Sequence, residues 1–455
     1  MNVYLKIEIL ARELEGRLLL ALAAAERGHT VLLGHVRSLL DPQIRVPPGV
    51  FHDKSLTPKP SKLALLEHLC GAGFVVTSQD EEHGLLDEYG TYADFAEMRF
   101  SERSLELAAY SFMWGPHDQQ QLRDIHPRHE DRIVATGSPR ADLWRPDLAG
   151  FHRAAALPAA SGSGPFVLFA GYASMVLDRN PFPTRIADQR PSYFDGPDDP
   201  KEWRFYRNCA IEVDYLGHLV RSIRHASARF PDARFVVRPH PVEADGAWES
   251  ILGPLPNVTV ERGGSIGSWL RSASAVIHNG STVGLEAAAA GVPVISYQPN
   301  GERSEWVSNR LSRRAADPDD LLAAIGHALD GTAPEGGWRS AEAEALLVQR
   351  LAPLDGPLAA DRIVDAWERL TVPGGSRSLR PRAALARSEV RRAASRWRSI
   401  ASGKRGSGFT TSHKFPPFDR DQVAGIHRRL ADSLGRFRAV EVRHVGPRLL
   451  QLRAR

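Results

Sequence analysis

The sequence predicts an α/β fold made of two Rossmann-like domains, residues 1–158 and 165–370, followed by a basic, mainly helical appendage over 371–455. Three observations predict it. Strand-like and helix-like segments alternate as far as about residue 370, the pattern of parallel, doubly wound sheets. The alternation breaks once, at Ala159-Ala160-Ser161-Gly162-Ser163-Gly164-Pro165, a small and polar stretch suited to a linker. The charge balance also changes along the chain. Residues 371–455 hold 20 Lys and Arg against 5 Asp and Glu, so this segment is +15 in a chain of net charge +4, leaving −11 for the rest.

Taken in order, Val3 to Leu10 is strand-like, Leu14 to Arg27 has helical spacing with Gly28 as its stop, and Thr30 to Leu33 is a short buried strand. A helix around Lys62 to Gly71 leads to a strand over Phe74 to Thr77 and then to the acidic run Asp80-Glu81-Glu82. A helix over Ser104 to Ala109 and strand-like Ser111 to Trp114 follow, and Arg132 to Thr136 precedes the turn Gly137-Ser138-Pro139. After the linker come a strand at Phe166 to Ala170, an irregular loop over Asp178 to Glu202 and a helix from Leu216 to Phe230. Strands at Phe235 to Val237, Val258 to Val260, Ala275 to His278 and Pro293 to Tyr297 complete the second domain, with helices to about Leu370. Two such domains leave a cleft faced by the carboxyl ends of both sheets.

With 455 residues the chain exceeds one ordinary core, and at 42% hydrophobic and 25% charged it has the composition of a soluble globular protein. Its two cysteines, Cys70 and Cys209, lack metal-like spacing, which argues against a disulfide framework or a zinc site and for a reducing compartment. The apolar run Leu18 to Ala25 is too short to cross a bilayer, which takes about 20 residues, and has neither the basic leader nor the cleavage site of a signal peptide. A cytoplasmic location is expected. A basic tail on an acidic body points to an anionic partner, membrane or nucleic acid. Few aromatics and no recognisable binding module argue against nucleic acid. Arg391, Arg392, Arg396 and Arg398, beside Trp397 and Ile400, suit the inner face of a cell membrane. The alternative is that the tail's arginines pair with the acidic body.

The sharpest constellation lies in the second half. Arg238-Pro239-His240-Pro241 follows a strand, and a backbone restricted by flanking prolines holds the imidazole in place. An Arg and a fixed His together suit a phosphate, although a His bonded inside an interface fits the same pattern. Then His278-Asn279-Gly280-Ser281-Thr282-Val283-Gly284-Leu285-Glu286 joins a strand to an Ala-rich helix. Gly280 allows close backbone approach, the helix start with Ser281 and Thr282 forms an anion site, and Glu286 can accept from ribose hydroxyls. The plainer alternative is that Ser281 caps the helix and Glu286 suits its dipole.

These motifs, with Gly291-Val292-Pro293-Val294-Ile295-Ser296-Tyr297, resemble the bacterial surface carbohydrate biosynthesis proteins. That family is similar to GT-B transferases of CMP-activated ulosonic acids, such as the β-Kdo transferases of capsule and lipopolysaccharide, and more distantly to CDP-glycerol polymerases. The resemblance covers residues 5 to 370. It extends to the helix opening at Arg12-Glu13-Leu14-Glu15-Gly16-Arg17, the acidic turn Asp80-Glu81-Glu82-His83-Gly84, Trp114-Gly115 and Thr136-Gly137-Ser138-Pro139-Arg140-Ala141-Asp142. His413-Lys414-Phe415-Pro416-Pro417-Phe418 resembles a late family signature, which implies that part of the tail docks on the body. The sequence departs from the family pattern at His83, within the acidic-glycine run, and at Ser138, where an amide is expected.

The resemblance implies a glycosyltransferase that uses a nucleotide-activated sugar as substrate and a polysaccharide or lipid-linked glycan as acceptor. His240, Ser281 and Thr282 would hold the donor, with Arg238, His278, Asn279, Gly280 and Glu286 as neighbours. On the first domain, Glu81 or Glu82 would act as base or nucleophile, because crowded carboxylates raise one another's pKa. Asp80, Arg140 and Asp142 are candidates for acceptor binding, or a plain turn and cap. No cofactor is expected, and no metal, since cationic groups and a helix start can neutralise the leaving phosphate. A CDP-polyol phosphotransferase, a nucleotide-sugar epimerase and a non-catalytic regulator are the rival functions.

Overall fold

The structure, a computed structural model, describes residues 1–40, 47–81, 92–155, 157, 164–171, 173–180, 182–184, 200–351, 353–372 and 415–455. It forms two compact units, one of residues 1–151 with 348–455, the other of 152–347. Each unit is a Rossmann-like α/β layer structure, as the alternation predicts.

The first unit carries an eight-stranded sheet in the order β6-β5-β4-β3-β1-β2-β14-β13. Its strands are β1 (Asn2–Ile7), β2 (Thr30–His35), β3 (Val50–Asp53), β4 (Val75–Gln79), β5 (Ala108–Met113), β6 (Ile133–Ala135), β13 (Val440–Gly446) and β14 (Leu449–Ala454). β1 to β6 are parallel, whereas β14 pairs antiparallel with β2, and β13 with β14. Because side chains alternate across a strand, Val3, Leu5 and Ile7 face one core while Tyr4, with Leu32 and Phe51, faces another. The second unit has six parallel strands in the order β12-β11-β10-β7-β8-β9. These are β7 (Phe166–Ala170), β8 (Arg234–Arg238), β9 (Val258–Val260), β10 (Ala275–His278), β11 (Val294–Tyr297) and β12 (Arg313–Ala315).

The expected boundaries at 158, 165 and 370 and the separate appendage over 371–455 give way to a different division. Residues 348–372 and 415–455 belong to the first unit. The physical reason is the first helix, Leu10–Glu26, in which Leu18 to Ala25 are all buried. A helix that is apolar on every side needs covering on every side. Helix Ala359–Glu368 and helix Arg420–Leu434 contribute Ile363, Val364, Trp367, Val423, Ile426 and Leu430 to the same core. Phe415 and Phe418 are buried there too, so the docking implied by the late signature is present. Gly34 on β2 admits the returning hairpin, since a Cβ there would lie 2.4 Å from the Arg448 carbonyl oxygen. In the tail, Arg429 pairs with Glu15 at 3.3 Å, and Arg436 pairs with Glu26 at 2.7 Å and Asp361 at 2.8 Å. The arginines at 391, 392, 396 and 398 lie outside the described residues. Among the described residues no helix is long and apolar enough to cross a membrane.

Candidate functional site

Open α/β sheets bind ligands beyond the carboxyl ends of their strands, where the strand order reverses. In the second unit the chain runs β7, β8, β9 to one side and then β10, β11, β12 to the other, so the reversal lies between β7 and β10. The loops after β7, β8, β10 and β11 surround that point.

After β8, Arg238 is engaged within the fold. Its guanidinium donates to the carbonyls of Glu261 (3.0 Å), Gly263 (2.6 Å) and Gly264 (3.3 Å) and lies 5.4 Å from the Trp269 ring centroid. Burial brings its pKa down to about 10. Arg238, expected as a phosphate ligand, thus braces the loop after β9. His240 is exposed, and its backbone is held on both sides. Its N–H donates to Glu243 Oε2 at 2.9 Å, and its carbonyl accepts from Glu243 N at 2.9 Å. Val242 N approaches the ring Nδ1 at 3.4 Å, which puts the proton of the neutral imidazole on Nε2.

After β10 the expected cluster divides. His278 is fully buried, and burial lowers its pKa to about 3. Ser312 Oγ donates to the Ser308 carbonyl (2.7 Å), so His278 Nε2–H donates to Ser312 Oγ (2.9 Å), leaving Nδ1 to accept from Ser281 N (3.4 Å). Its ring packs under the next helix at Gly284, where a Cβ would come within 2.4 Å of Cε1. Asn279 is buried as well, and its Oδ1 accepts from Asn309 Nδ2 at 3.0 Å. Gly280 has φ +73°, its N–H donates to Asn309 Oδ1 (2.8 Å), and a Cβ would lie 2.3 Å from the Trp306 ring. The close approach that Gly280 allows is thus made by Trp306. These three buried residues shape the turn. Ser281 caps helix Thr282–Ala289 by accepting from Val283 N at 3.3 Å, Thr282 is exposed, and Glu286 is buried.

Several participants carry no sequence motif. Asn309 ties Asn279, Gly280, Ser296 Oγ (2.7 Å) and the Arg303 carbonyl (2.8 Å) into one buried network. Arg303 has φ +62°, a region non-glycine residues enter at a cost, and its guanidinium lies 4.7 Å from the Trp306 ring centroid and 4.0 Å from Glu212. Glu212 in turn accepts from Met175 N at 2.9 Å, which ties the loop after β7 to helix Pro200–Arg229.

In the first unit the strand order reverses between β1 and β3. Glu81 lies near there, 6% exposed, and pairs with Arg17 at 2.8 Å, itself 2% exposed. Glu13, buried, accepts from Glu8 N (2.9 Å) and Ile9 N (3.1 Å). Burial, then the Glu81 charge, raise the Glu13 pKa, against Lys54 and Arg17. Lys54 reaches Glu8 at 3.2 Å and Glu13 at 3.9 Å. On β3, Asp53 is buried between Lys6 (3.0 Å) and Lys62, whose charges hold its carboxyl below the usual range although burial acts the other way. Glu82 lies outside the described residues. Asp80 is taken up by Arg99 at 3.0 Å. Asp142 is a cap, accepting from Ala359 N (2.9 Å) and Ala360 N (3.1 Å) at the start of helix Ala359–Glu368, and burial raises its pKa to about 6. Arg140 lies 5.6 Å from the Trp144 ring centroid, and its N–H is capped by Ser138 Oγ at 3.2 Å. Asp80 and Asp142 therefore have structural partners where acceptor contacts were expected.

No protein-family model matches the sequence, and no curated protein matches it. Solved structures with a similar course of chain include a UDP-GlcNAc 2-epimerase from Methanocaldococcus jannaschii, at 12% identity over 81% of this chain and 99% of that one, TM-score 0.48. HepE from Anabaena, in complex with UDP and glucose, is 11% identical over 81% of this chain and 99% of its own, TM-score 0.41. The wall teichoic acid polymerase TagF is 10% identical over 70% of this chain and 72% of that one, TM-score 0.38. At such identities and TM-scores these neighbours assign neither ligand nor reaction.

Proposed function

We propose that this chain is a glycosyltransferase of GT-B type that takes a sugar from a nucleotide-activated donor held by the second unit and passes it to a surface glycan. A CMP-activated ulosonic acid such as Kdo is the favoured donor. The observation that carries this is His240. It is the one member of the sequence-derived Arg-His pair that stays exposed at the carboxyl edge of the sheet, with its backbone fixed and its ring proton on Nε2. A fixed donor after β8 and the capped start of helix Thr282–Ala289 after β10, both beyond carboxyl ends of the same sheet, suit the phosphate that leaves when the sugar is transferred. Chemistry on the acceptor falls to the first unit, where Glu13 and Glu81 crowd around Arg17.

The test is thermal unfolding with CMP, CDP, UDP and GDP on the wild type and on His240→Ala. Ligand at 100 times its Kd stabilises the folded state by about 2.7 kcal/mol. CMP is expected to raise the wild-type Tm most, and to raise it far less in His240→Ala, whose unliganded Tm stays at the wild-type value because the side chain is exposed. A preference for UDP overturns the CMP assignment, and no shift with any of the four overturns the donor site. Conversion of a nucleotide sugar to its epimer without acceptor would favour the epimerase function.

A further inference from the structure

We propose that Glu243 is the positioning residue of this site: its carboxylate fastens the loop after β7 to the loop after β8 and thereby fixes His240. This rests on the donor-site function proposed for His240.

Glu243 is 0% exposed, a costly place for a carboxylate unless donors surround it. Three donors from three segments do so. Ala173 N, in the loop after β7, lies 2.9 Å from Oε1. His240 N, in the loop after β8, lies 2.9 Å from Oε2, and Trp248 Nε1, in helix Ala247–Leu252, lies 2.7 Å from the same oxygen. A residue needed only to satisfy the indole would require one acceptor. Here both oxygens are used, and they face different loops.

The rest of the junction is built around this contact. Gly171 N donates to the Arg238 carbonyl at 2.8 Å, extending the β7–β8 ladder by one residue. Further along, Arg179 N meets the Val242 carbonyl (3.2 Å) and Ala244 N the Leu177 carbonyl (2.6 Å), so the two loops run paired. Position 171 is tightly enclosed, since a Cβ would lie 3.0 Å from both Glu243 Oε2 and the Arg238 carbonyl oxygen. Arg262 closes the far side by donating to the carbonyls of Glu243 (3.2 Å) and Ala244 (2.7 Å). His240 and Glu243 also bond reciprocally, side chain to N–H and N–H to carbonyl, the local logic of a capping box. Burial raises the Glu243 pKa, and its three donors oppose that shift.

In Glu243→Gln the amide can keep an oxygen toward His240 N and Trp248 Nε1 only by turning its NH2 group against Ala173 N–H. The two loops then lose their shared acceptor. The experiment measures affinity for whichever of CMP, CDP, UDP and GDP binds the wild type best, in the wild type, Glu243→Gln, Glu243→Asp, His240→Ala and the Glu243→Gln/His240→Ala pair. The expected result is a loss of about tenfold for Glu243→Gln in the wild-type background, the scale of hydrogen bonds to a charged group, and less than about twofold when His240 is already alanine. Glu243→Asp, which keeps the charge, recovers part of the loss. An equal loss in both backgrounds, or none in either, overturns the proposal. If none of the four nucleotides binds the wild type, the donor-site function fails separately, and the His240 Cε1–H NMR signal decides about Glu243. That signal is assigned by its absence in His240→Ala. Broadening or splitting of it in Glu243→Gln, or in Glu243→Asp should the first variant not fold, supports the clamp, and an unchanged single line overturns it.

Discussion

His278→Asn should cost stability at neutral pH and almost none in mild acid. His278 is fully buried, its pKa is about 3, and both ring nitrogens are engaged, one with Ser281 N and the other with Ser312 Oγ. Asparagine can keep the acceptor near Ser281 N but loses the Ser312 bond and leaves space under Gly284, a loss of about 2 kcal/mol at pH 7.5. The sign of the acid effect follows from proton counting. A folded-state pKa below the ordinary histidine value means that, between about 6.5 and 3, the unfolded chain binds a proton the folded chain does not, so stability falls as pH falls. From pH 7.5 to 5.0 this amounts to about 2 kcal/mol in the wild type and is missing in the variant. Glu13, Asp142 and Glu243, whose raised pKa values act with the opposite sign, contribute to both proteins and cancel in the difference. Urea unfolding followed by tryptophan fluorescence at both pH values gives the comparison. The two proteins should differ at pH 7.5 and nearly coincide at pH 5.0. Parallel losses would refute a neutral, buried His278.

Two further substitutions test the packing of the two sites. Gly280→Ala puts a methyl group into the Trp306 ring at a backbone angle of φ +73°, and should cost about 3 kcal/mol in urea unfolding; a variant as stable as the wild type would refute the close approach. Glu81→Gln removes the charge opposite buried Arg17 and should cost about 3 kcal/mol of stability along with any activity. Lost turnover at unchanged urea midpoint would instead make Glu81 a catalytic carboxylate.

The parallel sheets were legible because strand–helix alternation has a local cause, the change of apolar period from two to 3.6. The return of the chain's end to the first sheet was not. In Val440-Glu441-Val442-Arg443-His444 the apolar and charged residues alternate as in a half-exposed strand, but a charge sum over residues 371–455 averages that pattern away. Leu18 to Ala25 held the other clue, since a helix apolar on all sides implies partners not yet accounted for. Around the candidate site, the position of polar residues at strand and helix ends was legible and their orientation was not. Arg238, His278, Asn279 and Asp142 stand at strand and helix ends where ligands bind, yet each finds backbone or side-chain donors and acceptors within the fold. No local signal separates a polar group that braces a loop from one that faces a substrate.

The acidic turn shows how far such a signal reaches. The expected effect, one carboxylate raising another's pKa, is present at Glu13, where burial and then the Glu81 charge raise it. Asp80 is neutralised by Arg99 and Glu81 by Arg17, so the crowding in the turn is relieved by cations from other elements. Glu13 comes from the first turn of the first helix, far from the run in sequence, and is desolvated by burial while the N–H groups of Glu8 and Ile9 bond its two oxygens. Counting like charges along the chain says nothing of a carboxylate that another element brings to the same place. Which carboxylate bears the shift was decided by the Leu10–Glu26 helix, which buries Glu13 and presents Arg17 one turn later to Glu81.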